Sequence, residues 1–355
     1  MKIQYADPQV VWRSRSGVVS LRFAMKAITI AVVLAGLLLV TCGLSLALGS
    51  YPIGIIEVIQ TLRGEGISKS FDDVIFQFRF PRTLVSMLAG AMMAISGTAL
   101  QTVTRNGLAD PSLVGVSQGA ALVVVGAIVA FPDLPTALRP WLAFMGALGV
   151  ASVVHSLTFA AQAYNAVRFI LIGIGVSALL SSMISVLMTY GDIDRAVAAL
   201  SWLAGSVHAA DWTDVRILGL WGLLLLLPTL ALSRIIGVLR MGDQMARALG
   251  VQDRRARGAL IALAVGFAAA TTAIIGPLSF VGLIAPHFAR WLARCGSGMH
   301  MILTALCGAL LVVTADLLGR TLFAPVQIPA GLVTAIIGVP MFIRLLHGAG
   351  AKSYL

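Results

Sequence analysis

Charge is what this chain has least of. Lys, Arg, Asp and Glu together make 11% of 355 residues, against about 25% in an ordinary soluble domain. Acids are scarcest, 14 against 25 basic residues, for a formal charge of +11. A water-exposed surface of that size has no polar coat here, so a soluble globular protein is excluded and the bilayer is the solvent. The basic residues form no stripe, which argues against a nucleic-acid partner. Cysteine is nearly absent too. Cys42, Cys295 and Cys307 have no paired spacing, which removes a disulfide framework and a thiolate metal site. The five histidines, His155, His208, His287, His300 and His347, show no metal-ligand spacing on a helix, and no HExxH occurs. GAGAKS at Gly348–Ser353 lacks the second glycine before Lys352 and a following helix, so it is no phosphate loop. A membrane enzyme needs a nucleophile–base pair or a metal cluster, and neither is visible.

Hydrophobic residues make up 59% of the chain, and its mean hydropathy is +0.97. A helical span needs roughly 20 mostly apolar residues. The pattern predicts an all-α polytopic protein with ten spans, near 27–48, 83–103, 113–131, 141–161, 168–190, 215–233, 256–275, 278–292, 300–318 and 330–347. The eighth is short, flanked by Gly276-Pro277 and interrupted by Pro286, so it reads as tilted or discontinuous. Ala27–Leu48 reads as a retained span and not a cleaved signal. No internal repeat or linker divides the chain, which predicts one membrane domain over 1–355.

Ten spans put both termini on one side. That side holds 17 basic and 4 acidic residues, and the other holds 8 basic and 10 acidic. Lys and Arg concentrate on the cytoplasmic side, so both termini are expected there. So is LRMGDQMARALGVQDRRARG, 239–258, which carries Arg240, Asp243, Arg247, Asp253, Arg254, Arg255 and Arg257 between two apolar runs. Met241, Met245 and Leu249 recur at spacing four, the apolar face of a short helix. Gly242-Asp243 supplies its start and Gly250 its stop. Such a helix either anchors in lipid or docks in a partner's groove, and a plain positive-inside loop is the blander alternative. Ser177, Ser181, Ser185 and Thr189 form one polar face of the fifth span. That face either lines a pathway or packs closely against another helix. The sole acid near the interior of a span is Asp316. An ion-coupled carrier, the second function class in view, ordinarily needs more ionisable residues than that.

Five stretches carry a resemblance: RFPRTLVSMLAG from Arg79, GTALQTVTRNGLADPSLVGVSQGA from Gly97, MGDQMARALGV from Met241, GPLSFVGLIAPHFAR from Gly276, and ADLLGRTLFAPVQIPAGLVTAIIGVPMFIRLL from Ala315. In this order they resemble the FecCD-like permeases of bacterial type II ATP-binding-cassette importers for ferric siderophores, haem and cobalamin. The likeness runs from about Val10 to Leu346. Gly107 stands where that family commonly has proline, Gln244 where an acid is common, and Gln327 at a position that takes Glu or Gln.

The resemblance implies a non-enzymatic translocation subunit in the inner membrane, paired with a second, identical or homologous permease. Two cytoplasmic ATPase subunits would hold ATP and Mg, and a periplasmic binding protein would deliver the ligand. This chain itself would bind no cofactor or metal. The resemblance also implies roles for particular residues. Met241, Gly242, Asp243, Met245, Ala246, Arg247, Ala248, Leu249 and Gly250 would couple to the ATPase. Ser177, Ser181 and Ser185 would line the substrate pathway. Asn165, Ala166 and Val167, after Tyr164, would form the cytoplasmic gate. Arg63 and Arg320 would dock the binding protein, with pairing of Arg63 to Glu57 or Glu65 as the local alternative. His287 would serve a helix end, and His208 is the one histidine placed to meet incoming haem. FILIGIGVSA and MGDQMARALGV look most like the ferric (catecholate) siderophore branch, with haem and cobalamin as alternatives.

Overall fold

The structure, a computed structural model, describes residues 9–13, 20–49, 51, 53–65, 69–159, 166–251 and 253–350. A two-stranded antiparallel hairpin comes first: β1 (Gln9–Arg13) and β2 (Ser20–Ala24), with Gln9 opposite Ala24 and Arg13 opposite Ser20. It is the one departure from the all-α expectation among the described residues.

Helices make up the rest. In chain order they are α1 (Met25–Ala47), α2 (Ile55–Leu62), α3 (Lys69–Asp73), α4 (Phe80–Thr104), α5 (Val116–Ala130), α6 (Arg139–Phe159), α7 (Ala166–Tyr190), α8 (Ile193–Leu203), α9 (Trp212–Ala231), α10 (Ser233–Arg240), α11 (Asp243–Ala248), α12 (Asp253–Ile275), α13 (Val281–Leu292), α14 (Ser297–Thr321) and α15 (Ala330–Gly350). A π-helical stretch, Val74–Arg79, joins α3 to α4. Eight helical stretches are long and apolar enough to cross a bilayer. Adding α5 and α13, at 15 and 12 residues, gives ten helices in the places where the hydropathy pattern sets spans.

The bundle is built around α4. Most of its residues are buried, as are those of α12, whereas α1, α7 and α9 are largely exposed. Exposed apolar side chains on those outer helices face the lipid, which is their solvent. The burial of α4 follows from its small residues. A Cβ built on Gly90 would lie 2.3 Å from the carbonyl oxygen of Gly308 on α14. One on Gly97 would lie 1.8 Å from the carbonyl oxygen of Gly282 on α13. Two neighbouring helices therefore touch α4 backbone to backbone, as small residues permit inside membranes. Gly119 and Gly146 bring α5 and α6 together in the same way.

The break before α13 is satisfied internally. Phe280 adopts a left-handed φ of 67° to start the helix. Pro286 has no N–H to offer Gly282, four residues earlier. The Gly282 carbonyl instead accepts from Nε2 of Gln101 on α4, at 3.3 Å. In a hydrocarbon environment that side-chain donor replaces the missing backbone one.

The expected consequence is steric and testable. Gly97→Val should abolish a monodisperse, folded chain on detergent size-exclusion chromatography, because the added carbons collide with backbone that cannot retreat. Gly149→Ala, where a Cβ meets nothing within 4 Å, should elute like wild type.

Candidate translocation and coupling elements

Around MGDQMARALGV the chain turns sharply. α10 ends at Arg240, Gly242 takes φ 113° as the residue preceding α11, and α11 runs from Asp243 to Ala248. No side-chain hydrogen bond caps its start, so the cap expected of Gly242-Asp243 is a glycine backbone turn. The end is closed by two backbone bonds. The Gly250 N–H donates to Arg247 at 2.9 Å and the Val251 N–H to Ala246 at 3.0 Å. Gly250 sits at φ 76°, which completes a Schellman motif. Ala246 and Leu239 are fully buried, while Met241 (66% exposed), Met245 and Leu249 (58%) face outward. Arg247 and Ala248 are exposed as well. The short helix thus grips the bundle by one alanine and presents an apolar face away from it. Arg254 and Arg255 are also exposed, but Arg257 turns inward and donates to the Val103 carbonyl of α4 at 2.5 Å.

At the same end, the 97–120 and 276–290 motifs interlock. Gln101 donates towards the Ala109 and Gly282 carbonyls, and its Oε1 accepts from Arg290 at 2.8 Å. Asp110, outside the spans, accepts from the Ser112 backbone and hydroxyl at 2.9 and 2.6 Å and so caps a turn over Pro111–Val114. Burial pushes its carboxyl up, while the Ser112 bonds pull it back. Sequence reading passed over Gln101; its signal was a lone amide deep in a span otherwise free of long polar side chains. His287 bonds the Leu283 carbonyl of its own helix at 2.9 Å, in the middle of α13 and not at its end.

At the opposite end, α1, α4 and α14 are pinned by ions. Arg82 forks onto Asp316, at 2.7–3.0 Å, and its other nitrogen reaches Gln327 Oε1 at 2.9 Å and His208 Nδ1 at 3.2 Å. Arg79 donates to the Leu46 and Ala47 carbonyls at the end of α1 and to the Tyr51 carbonyl beyond it. Arg320 bonds Ser45 and lies 3.7 Å from Asp316.

This corrects one expectation. Arg320 is 4% exposed and committed inside the bundle, so it is not a side chain held out to a soluble partner. Arg63, by contrast, is exposed at the end of α2. Its suggested local partner Glu57 instead accepts from the Gly54 N–H at 2.8 Å. Asp316, 2% exposed, is fully engaged by arginine, an arrangement that suits a structural clamp more than a proton relay. The inward arginines Arg79 and Arg82 were not picked out as site residues; the spacing of RFPR, which puts both on one helical turn, was the available signal.

The serine face of α7 divides. The Ser177 hydroxyl is buried against the turn at Gly115, 3.3 Å from where a Cβ there would lie, and has no partner. Ser181 and Ser185 are exposed. Of the residues expected at the cytoplasmic gate, Asn165, with Tyr164 before it, lies outside the described residues; Ala166 opens α7 and Val167 is exposed. No group of three or more His, Cys, Asp or Glu residues that could hold a metal occurs among the described residues.

Comparison with known proteins agrees with this geometry. The profile of the FecCD transport family matches residues 37–348. The "Probable siderophore transport system permease protein YfhA" of Bacillus subtilis (strain 168) is 38% identical over 328 residues, 91% of this chain and 95% of that one. The "Fe(3+) dicitrate transport system permease protein FecD" of Escherichia coli (strain K12) is 37% identical, over 77% of this chain and 85% of its own. The "Hemin transport system permease protein HmuU" of Yersinia pestis is 36% identical, over 85% and 91%. A solved ABC transporter of the metal-chelate type, in an inward-facing conformation, superposes with a TM-score of 0.78 at 30% identity, covering 90% of this chain and 99% of that one.

Removing one partner of the buried clamp should be costly. Asp316→Asn leaves Arg82 and Arg320 without their counter-charge, and a loss of about 3–5 kcal/mol is expected. The readout is the thermal unfolding midpoint in detergent. Arg63→Gln, at an exposed site, should shift stability by less than about 0.5 kcal/mol.

Proposed function

The chain belongs to the FecCD transport family, whose members here are permeases of iron-siderophore and haem importers, and from that premise we propose that it is the translocation subunit of an ATP-driven importer carrying a ferric siderophore from periplasm to cytoplasm. The observation that carries this reading is α11. A helix closed at its end by a Schellman motif, with Met241, Met245 and Leu249 turned outward, has the shape of a docking element. The groove it fits belongs to a cytoplasmic ATPase subunit, one of two that hold ATP and Mg. This chain translocates and does not hydrolyse.

The rest of the assembly follows. The charge asymmetry supports cytoplasmic termini and an inner-membrane, multi-pass placement. The whole chain acts as one membrane domain with its coupling segment at 239–258. A second permease, identical or homologous, packs alongside, and the exposed faces of α7 and α9 are the surfaces free for it. Ser181 and Ser185 line the pathway between the two copies, with Ser177 held inside the helix packing. The segment around Asn165, Ala166 and Val167 gates its cytoplasmic end. On the outer face, the exposed Arg63 offers a planar, permanently charged fork to a carboxylate of the periplasmic binding protein. Relatives are named for siderophores, ferric citrate and hemin; haem or cobalamin is the second substrate reading. His208, exposed beside Arg82, is the observation that favours haem.

Coupling is tested by Ala248→Asp/Leu249→Asp, which puts charge on the docking face. The permease should remain folded, while co-purification of the ATPase and ligand uptake in proteoliposomes both fall at least about tenfold. Wild-type values for both would remove α11 from coupling. The substrate is read separately, by binding of ferric catecholates, haem and cobalamin to the partner binding protein.

The pathway makes its own expectation. In a background lacking Cys42, Cys295 and Cys307, Ser181→Cys and Ser185→Cys should react with a membrane-impermeant thiol reagent in at least one nucleotide state. Ile184→Cys, on the buried side of the same helix, should not react. Silence at both serine positions would leave that face to helix packing.

A further inference from the structure

Between the two interlocked motifs and the coupling segment lies an open cleft of about 530 Å³, lined by Gln101, Thr102, Arg105, Gly107, Arg240 and Arg290. Three of its six lining residues are arginines, and each comes from a different part of the chain. Arg105 is the left-handed residue ending α4, Arg240 ends α10, and Arg290 sits in the last turn of α13. All three belong to the end of the bundle that the charge asymmetry makes cytoplasmic.

The Arg240 and Arg290 guanidinium groups are short of acceptors. Arg290 gives one nitrogen to Gln101 Oε1, at 2.8 Å, and the same nitrogen faces His287 Nδ1 at 3.1 Å. That ring nitrogen also faces the Leu283 carbonyl at 2.9 Å, so it cannot serve both as a protonated donor to Leu283 and as an acceptor for Arg290. Arg240 makes one long contact, 3.4 Å, to the Thr102 hydroxyl. Each guanidinium has five N–H donors. Among the described residues no carboxylate lies within ion-pairing distance of Arg240 or Arg290. Arg240 and Arg290 also repel each other through the cleft. Like charges gathered around a solvent-sized space, with donors unused, are what a bound anion would relieve.

Two further features say which anion. Trp291, 79% exposed, and Phe288 project from the same turn of α13, with ring centroids 5.8 Å apart. An exposed Trp at a span's end belongs at the headgroup level of a bilayer. The wall at Gly107 is bare: a Cβ there would come within 3.2 Å of His287 Nε2 and 3.9 Å of Arg290 Nη2. A basic pocket between helices on the cytoplasmic side, flanked by an aromatic pair, has the chemistry of an anionic lipid headgroup site.

We propose that the Arg105–Arg240–Arg290 cleft binds the phosphodiester headgroup of an anionic phospholipid, with its acyl chains lying along the Phe288–Trp291 face of α13. Arg240 is the residue before Met241, so the headgroup would also brace the start of the coupling segment.

The test uses the full-length chain in detergent, offered phosphatidylglycerol and phosphatidylcholine, with retained lipid counted by native mass spectrometry. Wild type should keep phosphatidylglycerol in preference. Arg240→Gln should lower that retention about fivefold, and Arg240→Gln/Arg290→Gln by the product of two such losses, since each surface arginine contributes about 1 kcal/mol at low salt. Arg240→Lys should keep most of it, and Arg344→Gln, an equal loss of charge outside the cleft, should keep all of it. If the double variant does not fold, Arg240→Gln alone decides, since its side chain makes only the one long contact. Three results would each overturn the proposal. The first is equal retention of the two lipids. The second is millimolar inorganic phosphate displacing the lipid or stabilising the chain as well as phosphatidylglycerol vesicles do, which would make the site one for free anions. The third is unchanged lipid retention in the double variant with lost ATPase co-purification, which would give the cleft to an acidic protein partner.

Discussion

The centre of this molecule is set by how closely the backbones of α13 and α14 approach α4. Gly90 meets Gly308 and Gly97 meets Gly282 with no room for a methyl group between them. Lipid tails are as apolar as leucine, so burying apolar side chains gives little drive for helices to associate within a bilayer. Close contact between small residues, together with satisfied polar groups, supplies it. Because α14 and α13 both lie against α4, the outer helices arrange around that trio, and the largely exposed α1, α7 and α9 are left for lipid and for partner chains.

The second constraint is polar satisfaction, and it is met differently at the two ends. At one end an ion clamp, Arg82–Asp316 with Arg320 and Ser45, ties α4 to α14 and α1. Breaking such a pair is far costlier than never having built it, because an unpaired charge is left in a poorly solvated place. At the other end an amide does the work. Gln101 takes up the carbonyl that Pro286 abandons and holds Arg290 in turn. The discontinuity at α13 is thereby built into the same end of the protein as α10 and the segment that follows it.

That arrangement gives a physical route between α11 and the membrane helices. α11 is attached by Ala246 and closed by backbone bonds at Gly250, so its exposed face is held on a defined backbone. Arg257 at the start of α12 bonds the Val103 carbonyl near the end of α4. If α11 couples to an ATPase as proposed, this bond ties the segment after it to the central helix.

Much of this was legible in the residues. Hydropathy placed all ten membrane helices to within a few residues, eight because a full span must be long and apolar, and the short α13 because Gly276-Pro277 and Pro286 mark its break. Glycine at 250 marked the end of a short helix, because capping is local; of the residues at spacing four only Met245 lies within it, with Met241 before the Gly242 turn and Leu249 at the cap. Five motifs in order carried the family, since they hold the close-packed and broken segments that no generic apolar helix needs. What the sequence could not decide was direction. Arg320 looked like a rim residue and is interior; Ser177 looked like its neighbours Ser181 and Ser185, yet its hydroxyl is buried against the Gly115 turn while they are exposed. Gln101, a single amide, became the hub of two motifs 180 residues apart. Which way a polar side chain points depends on which helix lies against it, and in lipid that is set by where backbones can touch, a property of glycine pairs far apart in the chain that exists only once the bundle has formed.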